Sequence, residues 1–134
     1  MEFKENVEWF RNAKYGLMMH FGLYSMLQGM YKGQHAGRYA EWIQSKYQIP
    51  KAEMEELARN FNPIFFNAEE IVKFAKDLGM QYFVFTSKHH EGFALFNSEV
   101  DDFNSYKMSV CHRDFVKELS DAYKEKAINA GYSY

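Results

Sequence analysis

Three of the five histidines, His20, His89 and His90, stand at the ends of two apolar runs. The first run is Tyr15-Gly16-Leu17-Met18-Met19, closed by His20. The second is Gln81-Tyr82-Phe83-Val84-Phe85, followed by Thr86-Ser87-Lys88-His89-His90-Glu91-Gly92-Phe93. Short runs this apolar, the second aromatic and β-branched, read as buried strands. A neutral imidazole offers one donor and one acceptor. Histidines at two strand ends can therefore bind hydroxyls, move a proton or ligate a metal. Adjacent His89 and His90 would face opposite sides of a regular strand. For both to meet one ligand the strand must end or bulge there, and Gly92 can supply the turn.

Two chemistries use such a cluster. A metal site could be built on His20, His89, His90 and Glu91, whose donors suit zinc or a related ion. The spacing supports it only weakly, because no H-x-H follows the first run and His90-Glu91 does not continue as H-E-x-x-H. Sugar recognition is the other. Glu41-Trp42 lies between the two runs, and a tryptophan stacks on the apolar face of a pyranose while carboxylate and imidazole groups bind its hydroxyls. Each residue also has a plain structural use: hydrogen-bonded packing for a histidine, burial for Trp42, a solvated charge for Glu41, an ion pair for Lys88.

The elements that must position these residues follow from periodicity. After the first run comes a stretch with Gly22, Gly29, Gly33 and Gly37, a long loop with room for one short helical turn. Pro50 opens a helix whose face is Met54, Leu57, Ala58 and Phe61, and Asn62-Pro63 stops it. Asn67 is an N-cap with Glu70 completing a capping box. Ile71, Phe74, Ala75 and Leu78 form the next apolar face, and Gly79 suits the C′ position. The second run leads into a loop from Ser87 to about Val110. Asp114 then begins a third helix with face Phe115, Leu119, Ala122 and Tyr123, ended by Gly131, and Tyr132-Ser133-Tyr134 could open a third strand. Strands alternating with helices imply parallel pairing through crossovers, an α/β architecture. In barrels and open sheets alike, ligands bind at the C-terminal strand ends, where the histidines fall. No dinucleotide or P-loop fingerprint occurs.

The 134 residues carry 16 basic and 18 acidic side chains, a net charge of −2. That balance excludes the basic stripe of a nucleic-acid binder, and 47% apolar content excludes a disordered chain. The single Cys111 rules out an intrachain disulfide and a cysteine zinc site. Met1-Glu2-Phe3-Lys4-Glu5 lacks the apolar stretch of a signal peptide, and no run approaches the roughly 20 residues of a membrane span. The expected location is cytoplasmic, or secreted or periplasmic if a leader has been removed.

At these residues the sequence resembles the N-terminal part of the catalytic domain of family 29 α-L-fucosidases. The resemblance runs through Trp9-Phe10, Lys14-Tyr15-Gly16, His20 to Ser25, Glu41-Trp42, Phe61-Asn62-Pro63, Phe65 to Ala68, Thr86 to Phe93 and Arg113-Asp114. Phe21 stands where the family usually has Trp, and Glu91 where Asp is common. The resemblance implies the N-terminal portion, about two to three βα units, of a (β/α)₈-like TIM barrel. Residues 1–134 would form one partial catalytic domain, ending before the strand that bears the nucleophile. It implies a retaining glycosidase that removes α-linked L-fucose from a fucosylated glycan, with His20, Glu41, Trp42, His89 and His90 contacting the sugar. No metal or cofactor is implied, and neither catalytic carboxylate has a counterpart in this chain. A full barrel takes about 250 residues, so the chain alone should be inactive. The alternative is a non-catalytic carbohydrate-binding or self-associating module derived from the enzyme.

Overall fold

A computed structural model describes residues 2–126 and 129–133, with side chains described over 7–126. Helix α1 (Glu2–Ala13) precedes strand β1 (Gly16–Met19). A 3₁₀ turn (Leu23–Leu27) leads to a small hairpin, β2 (Met30–Tyr31) and β3 (Gln34–His35). A second 3₁₀ turn (Ala40–Trp42) runs into α2 (Ile43–Tyr47), followed by α3 (Lys51–Arg59) and α4 (Ala68–Asp77). Strand β4 (Tyr82–Thr86), α5 (Phe115–Lys126) and β5 (Asn129–Ser133) complete the order. The sheet is β1-β4-β5, parallel throughout. The fold is α/β, as the alternation predicts.

Strand β4 is central, and its Phe83 and Phe85 are fully buried. They join a core with Val72 of α4 and with Phe115, Leu119, Ala122 and Tyr123 of α5, the predicted face of that helix. Two other expectations need correction. Strand β1 is only half buried, with Met18 55% exposed, because it pairs on one side alone. In α4 the buried residues are Ala68, Val72 and Ala75, while Phe74 and Leu78 lie open. Small residues let α4 sit close on α5, which rolls the two large side chains of the apolar stripe to its margin.

The helix ends follow their sequence signals. Asn67 Oδ1 accepts the Glu70 N–H at 3.2 Å, one half of the expected box. Gly79, at φ +76, donates to Lys76 O, and Met80 donates to Ala75 O. That is a Schellman ending, and its left-handed residue favours glycine. Asp114 Oδ1 caps α5 by accepting the Lys117 N–H at 2.8 Å. Gly131, by contrast, does not end α5. It lies inside β5 opposite Val84, because the whole of Asn129–Ser133 extends along the free edge of β4.

The long loop contains more than one helical turn. Its hairpin is tied down by Lys46 Nζ and Tyr47 Oη, which both donate to His35 O. Helix α1 precedes the first strand, where periodicity predicts no element; its Phe10 ring packs 5.0 Å from Tyr82, which lies over Gly16 where any side chain would collide with it. Among the described residues no helix is long and apolar enough to cross a membrane.

Candidate functional site

In the parallel register Met19 stands opposite Phe85, so His20 and Thr86 leave the sheet side by side. Their side chains share a hydrogen bond of 3.1 Å between His20 Nδ1 and Thr86 Oγ1. Strand β4 stops here. Ser87 O takes the Leu95 N–H and Lys88 bridges antiparallel to Ala94, so the chain doubles back. The turn is closed by Gly92 N–H donating to His89 O at 3.0 Å, with Gly92 at φ +85. This ending sends the two histidines different ways.

His89 turns inward and is buried. Its ring lies 5.7 Å from that of His20 and edge-on to Tyr24 at 4.8 Å. It fits because Gly22 has no side chain: a Cβ there would stand 3.1 Å from His89 Nδ1. His90 turns outward and stacks on Trp42, with ring centroids 3.5 Å apart and planes inclined by 20°. Glu41 and Trp42 belong to the second 3₁₀ turn, which packs against the first. The structure therefore gathers His20, Glu41, Trp42, His89 and His90 around one strand mouth, but in two layers. His20, Trp42 and His90 are exposed and Glu41 half-buried, while His89 forms the floor.

The floor is electrostatically unusual. Both ring nitrogens of His89 and both carboxyl oxygens of Glu91 are sealed from solvent without a hydrogen-bond partner among the described residues. Burial drives the His89 pKa down to about 4, helped by the neighbouring His20 and opposed by Glu41. Burial drives Glu91 up to about 7. In both groups burial favours the uncharged form near neutral pH. Tyr24 also belongs to this site, although no motif marks it beyond its place four residues after His20. Its phenol is pushed up by burial and by the charges of Glu41 and Glu91, against a hydrogen bond with Ser25.

The arrangement suits a neutral, hydroxyl-rich ligand: an aromatic face, exposed imidazoles and a carboxylate on the rim. It does not suit a metal ion. His90 is turned onto Trp42, and among the described residues no three His, Cys, Asp or Glu side chains converge on a metal position. Nor does Glu91 serve as an acid catalyst here, since its oxygens are closed to any glycosidic oxygen. A separate groove of about 740 Å³ opens between the start of α4 and α5. Its Arg113 and Asp121 are already paired, with Glu118 and Lys117 respectively, and it contains none of the predicted site residues.

Comparison with known proteins decides the family. The sequence model described as Alpha-L-fucosidase matches residues 1–134. The chain belongs to the α-L-fucosidase family. Among solved structures, the unliganded α-L-fucosidase AlfC from Lactobacillus casei is 52% identical with a TM-score of 0.92, over 96% of this chain and 39% of that one. The same figures hold for AlfC in complex with its α-L-fucose product. An α-L-fucosidase from Vibrio sp. strain EJY3 is 35% identical with a TM-score of 0.90, over 96% of this chain and 22% of that one. Among curated proteins, the tissue α-L-fucosidase of Rattus norvegicus is 33% identical over 131 residues, covering 92% of this chain and 28% of the relative. The chain thus spans between a quarter and two-fifths of the length of these fucosidases, apart from the longer Vibrio protein.

Proposed function

We propose that this chain is the N-terminal portion, about two to three βα units, of the (β/α)₈-like catalytic barrel of a retaining α-L-fucosidase. It supplies one wall of the pocket that holds α-L-fucose. Residues 1–134 then form a single partial domain, with the nucleophile and the acid/base contributed from outside it. The observation that carries this reading is the 52% identity to AlfC, a relative whose structure contains α-L-fucose, across 96% of this chain. On that reading Trp42, stacked on His90, faces the apolar side of the sugar. His20 and Glu41 bind its hydroxyls, and His90 adds a donor at the rim. His89 joins them once its ring is uncovered. The proposed partner is a fucosylated glycan, with no metal or cofactor in the chemistry.

The test is a chimera in which this chain replaces the matching 39% of AlfC. The chimera is expected to hydrolyse 4-nitrophenyl α-L-fucopyranoside, and His20→Ala within it to lower kcat/KM by about 100-fold, the loss of a charged or buried hydrogen bond in a transition state. A chimera that folds and is inert overturns the reading.

A further inference from the structure

We propose that Glu91 is the positioning residue for His89: its carboxyl pairs with His89 Nδ1 and so decides whether Nε2 is a hydrogen-bond donor or acceptor. Fucose as the ligand rests on the function proposed above; the pairing itself does not.

The geometry is the starting point. The turn closed by Gly92 brings residues 89 and 91 into the space that a Gly22 side chain would take. From the point where a Gly22 Cβ would stand, His89 Nδ1 is 3.1 Å away and Glu91 Oε1 is 3.7 Å away. All four polar atoms of the two side chains are sealed and unpartnered among the described residues. Each such atom costs about 1–3 kcal/mol while it lacks a partner. Two of the other groups facing this floor are engaged. His20, from the end of β1, holds Thr86; His90, from the same turn, stacks on Trp42. Tyr24, from the first 3₁₀ turn, meets the His89 ring edge-on at 4.8 Å, and Lys88 Cε stands 4.0 Å from where a Gly92 Cβ would lie. Glu41, from the second 3₁₀ turn, acts on His89 only through its charge. Glu91 is the group beside the ring that is itself sealed and without a partner among the described residues.

The proton accounting is simple. With Glu91 protonated, its O–H donates to Nδ1, and the single ring proton sits on Nε2, which is then a donor. When Glu91 loses its proton to solvent, the carboxylate accepts from Nδ1–H. The ring has released its Nε2 proton and taken one up at Nδ1, so the net loss is one proton and Nε2 becomes an acceptor. Burial has already moved Glu91 up to about 7 and His89 down to about 4, so the exchange falls near neutrality with the ring uncharged on both sides.

The experiment is a ¹⁵N NMR titration of the histidine-labelled 134-residue chain from pH 5 to 8.5, reading which nitrogen of His89 carries the proton. The expected result is an Nε2–H tautomer at low pH that converts to Nδ1–H with a midpoint near 7. Glu91→Gln should abolish the conversion, and Glu91→Asp, which keeps the titrating group, should retain it at a shifted midpoint. A single tautomer from pH 5 to 8.5 in the unmodified chain overturns the proposal, whether or not Glu91→Gln folds. So does a conversion that survives in Glu91→Gln. The AlfC chimera is assayed alongside, because this chain supplies one wall of the pocket. A tautomer step beside a folded but inert chimera keeps the pairing and counts against the sugar pocket, whereas an active chimera without a step does the reverse.

Discussion

The segment after β4 buries polar groups in two places, and they are treated in opposite ways. In the stretch from Asp101 to Glu118 almost every buried group is answered. Asn104, fully buried, accepts the N–H groups of Tyr106 and Lys107 through Oδ1 and donates to Asp101 O through Nδ2. Ser105 Oγ donates to Arg113 O. Arg113 grips Glu118 with two nitrogens, donates to Pro63 O and Phe66 O, and lies over the rings of Phe66 and Phe115. Ser109 Oγ is the lone exception. A few residues earlier, His89 and Glu91 leave four buried atoms unanswered. Satisfied groups fix the backbone; unsatisfied ones cost stability, and a fold that keeps them together at a strand mouth keeps them for a ligand or for each other.

The largest expected effect lies on the satisfied side. Arg113→Met should cost about 2–4 kcal/mol, because it strands the half-buried Glu118 carboxylate and leaves two backbone carbonyls without their donor. Arg113→Lys should cost less but remain unfavourable, since an ammonium cannot reproduce the flat fork that meets Glu118 while stacking on Phe115. Urea unfolding reads both changes. A loss below about 1 kcal/mol for Arg113→Met would break the comparison, because the clamp would then add little to the fold.

The floor gives the next largest effect, and it appears in pH rather than in absolute stability. Glu91 has a folded pKa near 7 against an ordinary 4.5, so between those values the native state holds a proton that the unfolded chain has lost. Its contribution therefore falls as pH rises through that window. His89 has a folded pKa near 4 against 6.5, so the unfolded chain holds the extra proton and stability rises with pH from about 4 to 6.5. The two slopes oppose each other where the windows overlap, and the unmodified chain should be nearly flat there. Glu91→Gln should uncover the rising slope, and His89→Phe the falling one, each on the order of 3 kcal/mol at most across its window. Urea midpoints measured from pH 4 to 7.5 decide it. Two variants with the same slope as the parent would mean that the floor is hydrated and its groups titrate normally.

The same contrast explains what the sequence could reveal. The face of α5 was legible because Phe115, Leu119, Ala122 and Tyr123 repeat at helical spacing and all reach the core. The face of α4 was half legible: spacing alone cannot tell Phe74 and Leu78 from Val72, since closeness to α5 decides which part of a wide stripe goes in. The hairpin at Met30–His35 has two-residue strands and is held by Lys46 and Tyr47 from α2, so no local period announces it. The same holds for Asn104, whose bonds are local but whose burial is not. At the strand mouth, the histidines, Glu41 and Trp42 were legible by residue type and position. Their two layers were not, because the direction of each side chain depends on a turn closed at Gly92 and on the space left at Gly22.

The smallest expected effect on stability comes from the rim, and it sharpens the comparison most. Trp42 is 47% exposed, and its one ring partner among the described residues is His90, itself exposed. Trp42→Ala removes a stack between two exposed rings, so the unfolding free energy should change by no more than about 0.5 kcal/mol. Within the AlfC chimera the same change should raise KM for 4-nitrophenyl α-L-fucopyranoside by about tenfold or more, the loss of roughly 1.4 kcal/mol of stacking on the sugar. A residue that contributes to the fold would show the opposite balance, with a large stability loss and little change in KM. If Trp42→Ala behaves that way, the indole is packing, and the rim has to be redrawn around His20 and Glu41. If it behaves as expected, the strand mouth divides cleanly. The outer layer is then free to bind because it supports nothing, and the floor is left unsatisfied because the fold is supported by the Arg113 clamp and the Asn104 turn instead.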